Sequence, residues 1–337
     1  MNATDDLASL LERLQAAARD IDLTWAPPAT SGWVLSHDTL RVIMAAVKVL
    51  TPRHVIELGA GTSTRALMHA AAGQKPACAI SSVDHDPRFG SAARDAALRE
   101  RPPDVRFRYQ LAPVVMRDCG GELMPVYSIR PTALASRRPA ELVLIDGPPE
   151  PMGGRRGTLY QLMDFLRPGA LAFLDDAGRP SEREAMAHWR DHLGDAIEIA
   201  LVPGHAKGLA AILVRTPVPR ARRWDHRVAL TARDLDAILP AGVEVVVADE
   251  GQCGPGLLPG REQHAFVERD GVSYGPPEND GEAIRCLDAW RARGIRHLVF
   301  VWPAFWWFEH YPRLMLHVRA CGKIILENRR LLVFELT

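Results

Sequence analysis

The order of hydrophobic and polar positions along the chain predicts an α/β protein. Leucines recur at helical spacing through residues 5–20, and a second helical stretch covers residues 38–50. From residue 54 onwards, short apolar runs alternate with amphipathic stretches, and the predicted strands read HVIELG, ACAISSVD, VRFRYQL, ELVLID and ALAFLDD. Such alternation is typical of a mostly parallel sheet with helices on both faces.

Two further apolar runs close this first region. The runs AIEIALV and LAAILVR are separated only by PGHAKG, which is too short for a crossover helix, so we predict that they are antiparallel. Residues 218–227 are rich in proline and arginine and predict a linker. Beyond it the pattern restarts with GVEVVVAD and HLVFVW. We therefore predict one domain over residues 1–217 and a second, smaller α/β domain over residues 228–337.

Composition and charge narrow the class of protein. The 41 basic residues balance the 41 acidic ones, so the chain lacks the positive charge typical of a nucleic-acid binder. No apolar run approaches the roughly 18 residues needed to cross a membrane. Five scattered cysteines without metal-ligand spacing indicate a reducing compartment. We expect a cytoplasmic protein without a membrane span and without a nucleic-acid partner, and the question of a homo-oligomer stays open.

A glycine turn follows the first predicted strand. Gly59 and Gly61 let the chain turn sharply and bring backbone N–H groups against a ligand, and Thr62 and Ser63 stand where the next helix begins. A dinucleotide fingerprint requires a third glycine, but Thr64 occupies that position. The turn therefore predicts a polar ligand other than a nicotinamide dinucleotide.

Two acidic residues accompany this turn. Glu57 stands just before the first glycine and suits a ligand with an ammonium group. Asp84 ends the next predicted strand, where a carboxylate can accept both hydroxyls of a ribose. The alternative is an ordinary glycine turn with an acid at the surface.

Residues 30–215 resemble the class I S-adenosylmethionine-dependent methyltransferases. The runs ELGAGTST, VDHDP and LIDGPP are similar to the E-L-G-x-G-x-S-T, V-D/E-x-D-P and D-G-P-P motifs of a bacterial family of that class. The resemblance implies a seven-stranded Rossmann-like sheet with an antiparallel hairpin at its edge. It also implies that Gly59 and Gly61 line the methionine part of the cofactor, that Asp84 binds its ribose and that His85 lies near its adenine.

Three carboxylates end the fourth and fifth predicted strands, namely those of Asp146, Asp175 and Asp176. The ends of adjacent parallel strands converge on one crevice, and oxygen ligands in this number suit Mg²⁺. The arrangement is similar to catechol-type and macrolide-sugar O-methyltransferases, in which a divalent metal binds the acceptor hydroxyls and lowers their pKa. In the alternative interpretation Asp146 lines the cofactor crevice, while Asp175 or Asp176 caps the following helix.

The catalytic base is less clearly marked. Catechol-type enzymes carry a lysine shortly after the first metal-binding acid, but here Pro148 and Pro149 fill that stretch. Besides Asp146 itself, the candidates are His205 and Lys207 in the predicted hairpin loop.

Three other features each have two interpretations. Arg155 and Arg156 either clamp an anionic group of the acceptor or are solvated loop charges. Trp25 and Trp33 either belong to a lid or pack in the core. The aromatic stretch 302–312 either packs on its sheet or stacks on a sugar.

The second domain adds a biological context. Its runs GIRHLVF and WWFEHYP resemble a domain appended to bacterial glycosyltransferases and methyltransferases of surface-polysaccharide loci. The sequence therefore predicts a transferase of polysaccharide biosynthesis, an S-adenosylmethionine-dependent O-methyltransferase that acts on a hydroxyl of a small-molecule or glycan acceptor. Assistance by Mg²⁺ stays open. The alternative is a catalytically silent cofactor-binding scaffold in a biosynthetic complex.

Overall fold

The computed structural model of the protein describes residues 6–26, 34–119, 122–269 and 271–337. The chain forms two compact units, Met1–Arg223 and Trp224–Thr337. A helix begins at Arg223, inside the stretch that the sequence predicts as a linker. None of the helices in the described ranges is long and apolar enough to cross a membrane.

The N-terminal unit contains the strand and helix alternation predicted from the sequence. Its helices are α1 (Leu7–Ala18), α2 (His37–Leu50), α3 (Thr62–Ala71), α4 (Phe89–Glu100), α5 (Thr158–Leu162) and α6 (Pro180–Leu193). Its strands are β1 (His54–Leu58), β2 (Ala79–Asp84), β3 (Arg106–Leu111), β4 (Val114–Asp118), β5 (Leu123–Tyr127), β6 (Ala140–Ile145), β7 (Leu166–Asp175), β8 (Ile197–Val202) and β9 (Leu209–Val214).

Seven of these strands form one sheet in the order β3-β2-β1-β6-β7-β9-β8. Strand β1 pairs in parallel with β2 on one side and with β6 on the other. Strand β9 is antiparallel to both β7 and β8. The predicted fold class, a mostly parallel seven-stranded sheet with an antiparallel edge hairpin, is therefore confirmed. Because the strand order reverses between β1 and β6, the ligand crevice of such a sheet lies at their carboxyl ends.

Burial on both faces holds this sheet together. Every residue of β1, β2 and β9 is buried. Apolar side chains of α1, α2 and α3 cover one face, and those of α5 and α6 cover the other. The first two helices begin at side-chain caps, because Asp6 accepts from the amide of Ser9 and Ser36 accepts from the amide of Thr39. The buried central strands fix the positions of the loops at their ends.

The C-terminal unit is a smaller α/β sheet, also as predicted. Its elements are α7 (Arg223–Ile238), β10 (Glu244–Ala248), β11 (Glu262–Ala265), β12 (Glu268–Arg269), β13 (Val272–Ser273), α8 (Asp280–Ala292), β14 (His297–Val301), α9 (Trp307–His310), α10 (Pro312–Cys321), β15 (Gly322–Glu327) and β16 (Leu331–Leu336). Five strands form a sheet in the order β11-β10-β14-β16-β15.

Candidate functional site

The glycine turn connects β1 to α3 at the carboxyl end of the sheet. Gly59 has a φ of +92°, and a Cβ at this position would lie 2.8 Å from the main-chain oxygen of Asp146. Both facts require glycine. Gly61 differs, because its φ of −178° is extended and a Cβ there would meet nothing within 4 Å. Only Gly59 is therefore needed for the turn itself, whereas Gly61 leaves open space in front of α3.

Glu57 is fully buried at the end of β1. Its Oε2 accepts hydrogen bonds from the hydroxyls of Thr64 and Ser82, each at 2.6 Å. Its Oε1 is buried and has no hydrogen-bond partner. Burial raises the pKa of Glu57 to about 7, although the neighbouring hydroxyls lower it. The side chain thus joins β1 to α3 and β2 and keeps one oxygen unsatisfied.

Asp84 and His85 lie at the end of β2, beside the glycine turn. Asp84 Oδ2 accepts from the amide of Ala60 at 2.7 Å, and Oδ1 accepts from the amide of Asp86 at the same distance. His85 Nδ1 lies 3.5 Å from Asp84 Oδ1. The structure therefore brings together the turn, Asp84 and His85, as the sequence predicts.

Two tyrosines that the sequence analysis does not identify complete this region. A Cβ at Gly90 would lie 2.0 Å from the hydroxyl of Tyr109 and 2.9 Å from Cβ of Asp84. A Cβ at Gly147 would lie 2.2 Å from the hydroxyl of Tyr127. Burial raises the pKa of Tyr109 to about 12 and that of Tyr127 well above its ordinary value. Both phenols are therefore neutral hydrogen-bonding groups at the strand ends.

Several buried polar atoms around the turn lack a hydrogen bond of normal geometry among the described residues. Glu57 Oε1, Tyr109 Oη and Tyr127 Oη make none, His85 Nδ1 has only the 3.5 Å approach to Asp84 Oδ1, and the Ser63 hydroxyl acts on Glu57, whose pKa it lowers. An unsatisfied buried polar group costs about 1–3 kcal/mol, so folded proteins seldom concentrate them. Their presence around a turn that leaves open space at Gly61 indicates a site for a polar ligand.

The three predicted carboxylates also converge. Oxygen atoms of Asp146, Asp175 and Asp176 all lie within 4.8 Å of one another. Neither Asp175 nor Asp176 caps the following helix, because α6 begins after Arg179 without a side-chain cap. The capping part of that alternative interpretation is wrong, whereas a place for Asp146 in the cofactor crevice stays a prediction. Asp176 has a φ of +54°, a left-handed conformation that is costly for a residue other than glycine and is often found at functional sites.

A buried arginine lies among these carboxylates. Arg155 Nη2 lies 3.0 Å from Asp146 Oδ1 and 3.2 Å from Asp176 Oδ2, and Nη1 donates to the main-chain oxygen of Asp175 at 2.6 Å. Glu182 Oε1 lies 3.7 Å from Arg155 Nε. The Arg155 side chain is only 4% exposed. Arg155 is thus an internal counter-charge, and both interpretations made from the sequence, an acceptor clamp and a solvated loop charge, are wrong for it.

This arrangement does not fit the predicted divalent metal. A cation between Asp146 Oδ1 and Asp176 Oδ2 would lie against Arg155 Nη2, which already donates to both oxygens. Burial also favours the protonated acids. It raises the pKa of Asp146 well above its ordinary value and that of Asp175 to about 6, while Arg155 lowers both. The cations that these acids hold in this structure are the guanidinium of Arg155 and, at Asp176 Oδ2, that of Arg179 at 3.0 Å.

The hairpin loop between β8 and β9 borders the end of β7. The main-chain oxygen of Lys207 accepts from the amide of Gly178. Lys207 Nζ donates to the main-chain oxygen of Val34 at 3.3 Å, and His205 Nδ1 lies 3.3 Å from Thr39 Oγ1. Burial lowers the pKa of His205. Both predicted bases therefore lie on a loop beside the crevice, with Lys207 bonded to the segment before α2 and His205 next to the first turn of α2.

Of the two tryptophans predicted for a lid or for the core, the structure describes only Trp25. Trp25 stacks on His69 with ring centroids 4.5 Å apart, and the Arg65 guanidinium lies 5.2 Å from the centre of its ring. It therefore packs on α3. Trp33 lies outside the described residues.

Comparisons with known proteins address the fold. No protein-family model and no curated protein matches the chain. Among solved structures it is similar to the S-adenosylhomocysteine-bound methyltransferase PaMTH1 of Podospora anserina, at 13% identity over 60% of this chain and 87% of that one, with a TM-score of 0.41. An O-methyltransferase of Bacillus cereus in complex with S-adenosylhomocysteine gives 14% identity over 63% and 92% of the two chains and a TM-score of 0.38.

These identities and TM-scores are low, so we assign the fold from the strand order alone. A parallel sheet that reverses at β1 and β6 and ends in the antiparallel pair β9 and β8 is the fold of class I S-adenosylmethionine-dependent methyltransferases.

Proposed function

We propose that the N-terminal unit binds S-adenosylmethionine and transfers its methyl group to a hydroxyl oxygen of a sugar or glycoconjugate. The observation that supports this most is the group of buried polar atoms without good hydrogen bonds around the glycine turn, together with the open space at Gly61. The glycan class of the acceptor rests on the sequence resemblance of residues 228–337 to a domain of surface-polysaccharide loci.

The residues around the turn fit the chemical groups of this cofactor. Gly59 and Gly61 would let the methionine part approach the backbone, and the amides of Thr62 and Ser63 at the start of α3 favour its carboxylate. The ammonium group would lower the raised pKa of Glu57 and so favour its charged form. When bound, the cofactor supplies a methyl carbon made electrophilic by a sulfonium.

The ribose and adenine would lie at the end of β2. Each carboxylate oxygen of Asp84 accepts one backbone amide and has a second lone pair for a ribose hydroxyl. The polar groups next to Asp84 are His85 Nδ1, 3.5 Å from Asp84 Oδ1, and the buried Tyr109 hydroxyl, which has no hydrogen-bond partner. The amide of Asp146 donates to the main-chain oxygen of Leu58, and Asp146 would close the crevice on the side of β6.

We propose that Asp146 is the general base, which removes the proton of the acceptor hydroxyl. The Asp146 side chain is 17% exposed, against 6% for Asp176, so it is the more accessible of these two carboxylates. The acceptor hydroxyl loses its proton to Asp146 as its oxygen bonds the methyl carbon, and the electron pair of the broken carbon–sulfur bond stays on sulfur. Alignment of the reacting atoms accounts for most of the rate. His205 and Lys207 are the alternative bases.

One observation favours the second candidate function, a silent cofactor-binding scaffold. The pKa of Asp146 is raised well above its ordinary value by burial, and a protonated carboxyl cannot take a proton from an acceptor. Transfer of labelled methyl from S-adenosylmethionine to a glycan fraction separates the two functions. If Asp146 is the base, Asp146→Asn keeps cofactor affinity within a few-fold and abolishes transfer.

Calorimetric titration with S-adenosylhomocysteine tests cofactor binding itself. We expect a dissociation constant in the micromolar range and a loss of about 100-fold or more in Gly61→Val, because the added side chain fills the open space. Gly256→Val is the matched control, since a Cβ at Gly256 also meets nothing within 4 Å. Both variants should unfold at the wild-type temperature. Binding of NADH in place of S-adenosylhomocysteine, or unchanged affinity in Gly61→Val, would disprove the proposal.

A further inference from the structure

The C-terminal unit has a strand-end crevice of its own. Strand β10 pairs in parallel with β11 on one side and with β14 on the other. The chain runs from β10 to β11 and then crosses to β14, so the connections diverge at the carboxyl ends of β10 and β14. In open α/β sheets this is the position at which ligands bind.

The loop after β10 contains two acidic residues, Asp249 and Glu250, and the backbone of Glu250 has a costly conformation. Asp249 is buried and accepts from the amides of Gly251 and Cys253 at 2.9 and 3.0 Å. Glu250, which lies between Asp249 and Gly251 in the chain, has a φ of +56°, in the left-handed region. Such strain persists only where the surrounding structure imposes it, and it is concentrated at functional sites. The two amide bonds to Asp249 hold the backbone of this loop in that conformation.

Two indoles fix the carboxylate of Glu250. Glu250 Oε1 accepts from Nε1 of Trp306 at 2.7 Å and from Nε1 of Trp307 at 3.0 Å. Trp307 is buried with Phe300 in the core, which confirms packing on the sheet for this part of the aromatic stretch. Trp306 is different, because it is 44% exposed. An indole held by its N–H group with much of its surface in water is a fixed aromatic platform.

A second exposed ring lies on a segment that borders both features. A Cβ at Gly251 would lie 3.4 Å from Cβ of Ser273, and the hydroxyl of Tyr311, a neighbour of Trp306, donates to the main-chain oxygen of Pro277. The segment 273–277 therefore connects the Glu250 loop to the aromatic cluster. Within it Tyr274 is 60% exposed.

These groups define the chemistry of a ligand. Aromatic faces stack on the apolar C–H faces of pyranose rings, and a carboxylate accepts hydrogen bonds from sugar hydroxyls. Residues 249–256 contain two acids and neither lysine nor arginine, so the charge beside Trp306 disfavours an anion there, whereas the Arg269 guanidinium lies 3.7 Å from the centre of the Tyr274 ring. We propose that the C-terminal unit binds a neutral carbohydrate, with Trp306 as the stacking platform and Glu250 as the hydroxyl acceptor. This site lies outside the methyltransferase fold, and its binding assay contains no cofactor.

The test is binding of the full-length protein to an array of immobilised bacterial glycans, followed by calorimetry with the neutral glycan bound most strongly. We expect Trp306→Ala to weaken binding about tenfold or more, which corresponds to about 1.4 kcal/mol. Trp306→Phe, which keeps an aromatic face, should lose less. Glu250→Gln should weaken binding several-fold, because its amide oxygen can still accept from the indoles. Trp224→Ala is the control, since Trp224 is 43% exposed and packs on Trp302 instead.

Three results would overturn the proposal. The first is that the array retains no neutral glycan. The second is that Trp306→Ala weakens binding no more than Trp224→Ala does, with both variants folded by circular dichroism. The third is that the array retains acidic glycans more strongly than neutral ones, with a retention that falls steeply between about 50 and 500 mM NaCl, because screening of that kind identifies a charged ligand.

Discussion

Replacing Arg155 with methionine tests whether the carboxylates of the N-terminal unit depend on an internal cation. The substitution keeps a long side chain and removes the only group that donates to both Asp146 and Asp176 within 3.2 Å in this cluster. Arg155 is 4% exposed, so little of its interaction is screened by water. Removing one partner of a buried ion pair costs about 3–5 kcal/mol. We expect a loss of that size in the free energy of unfolding at pH 8.

The loss of stability in Arg155→Met should depend on pH, and the shifted pKa values of the aspartates give the direction of that dependence. Burial holds the pKa of Asp175 at about 6, above its ordinary value of 3.8, so the folded state binds more protons than the unfolded state in that window. Stability from this group is therefore present at low pH and is lost as pH rises through about 6. Arg155 lowers the pKa of Asp146 and of Asp175, and without it both should titrate at higher pH. The difference between wild type and Arg155→Met should therefore be larger at pH 8 than at pH 5, with Asp176 and Glu182 facing Arg155 at both pH values.

The assay is urea unfolding followed by circular dichroism at both pH values. Arg156→Met is the control, because Arg156 is 32% exposed and its ion pair with Glu122 is worth about 1 kcal/mol or less. We expect millimolar Mg²⁺ to stabilise Arg155→Met at pH 8 and to leave the wild type unchanged. If Arg155→Met loses no more than Arg156→Met at pH 8, or if its loss is equally large at pH 5, Arg155 is not the counter-charge of this cluster.

Two other predictions concern activity and domain boundaries. If the proposed methyl transfer depends on the charged form of Asp175, initial rates should rise with pH through about 6 and then level off, and a flat profile from pH 5 to 8 would contradict that dependence. A fragment of residues 1–223 should bind S-adenosylhomocysteine as the full chain does. The fragment 1–217, which follows the boundary predicted from the sequence, should be less stable by about 3 kcal/mol, because it lacks buried Val218 and Arg223, which donates to the Tyr160 main-chain oxygen. Equal midpoints of thermal unfolding would show that these residues contribute nothing.

The parts of the fold that the sequence predicts depend on local information. The length of PGHAKG is enough to make β8 and β9 antiparallel, and apolar runs followed by glycine or aspartate mark β1, β2, β6 and β7. The hairpin of β4 and β5 escapes prediction because Pro125 interrupts the apolar run LMPVY and argues against a strand. Proline is tolerated there because β4 and β5 form a separate two-stranded sheet.

The parts of the site that the sequence misses depend on side-chain direction. The positions of Asp146, Asp175 and Asp176 at strand ends predict that they meet, and they do. Their counter-charge comes from Arg155, on a loop that contains left-handed glycines at 153 and 154, so spacing alone does not show whether it points inwards. One signal was available, because several acids in one crevice require a cation and an arginine follows Asp146 by nine residues.

The antiparallel edge hairpin determines where the chain can accept insertions that change the crevice and leave the sheet unchanged. Asp175 pairs with Leu209, so the turn at residues 203–208 lies at the same end of the sheet as the crevice. A Cβ at Gly208 would lie 2.3 Å from the amide nitrogen of Gly178, which fixes the base of that turn against the end of β7. Because β8 is the edge strand, residues inserted after Gly204 would alter the mouth of the crevice without changing the register of any parallel strand. This turn is therefore the position at which a library of insertions would change the size of the accepted substrate and leave the glycine turn intact.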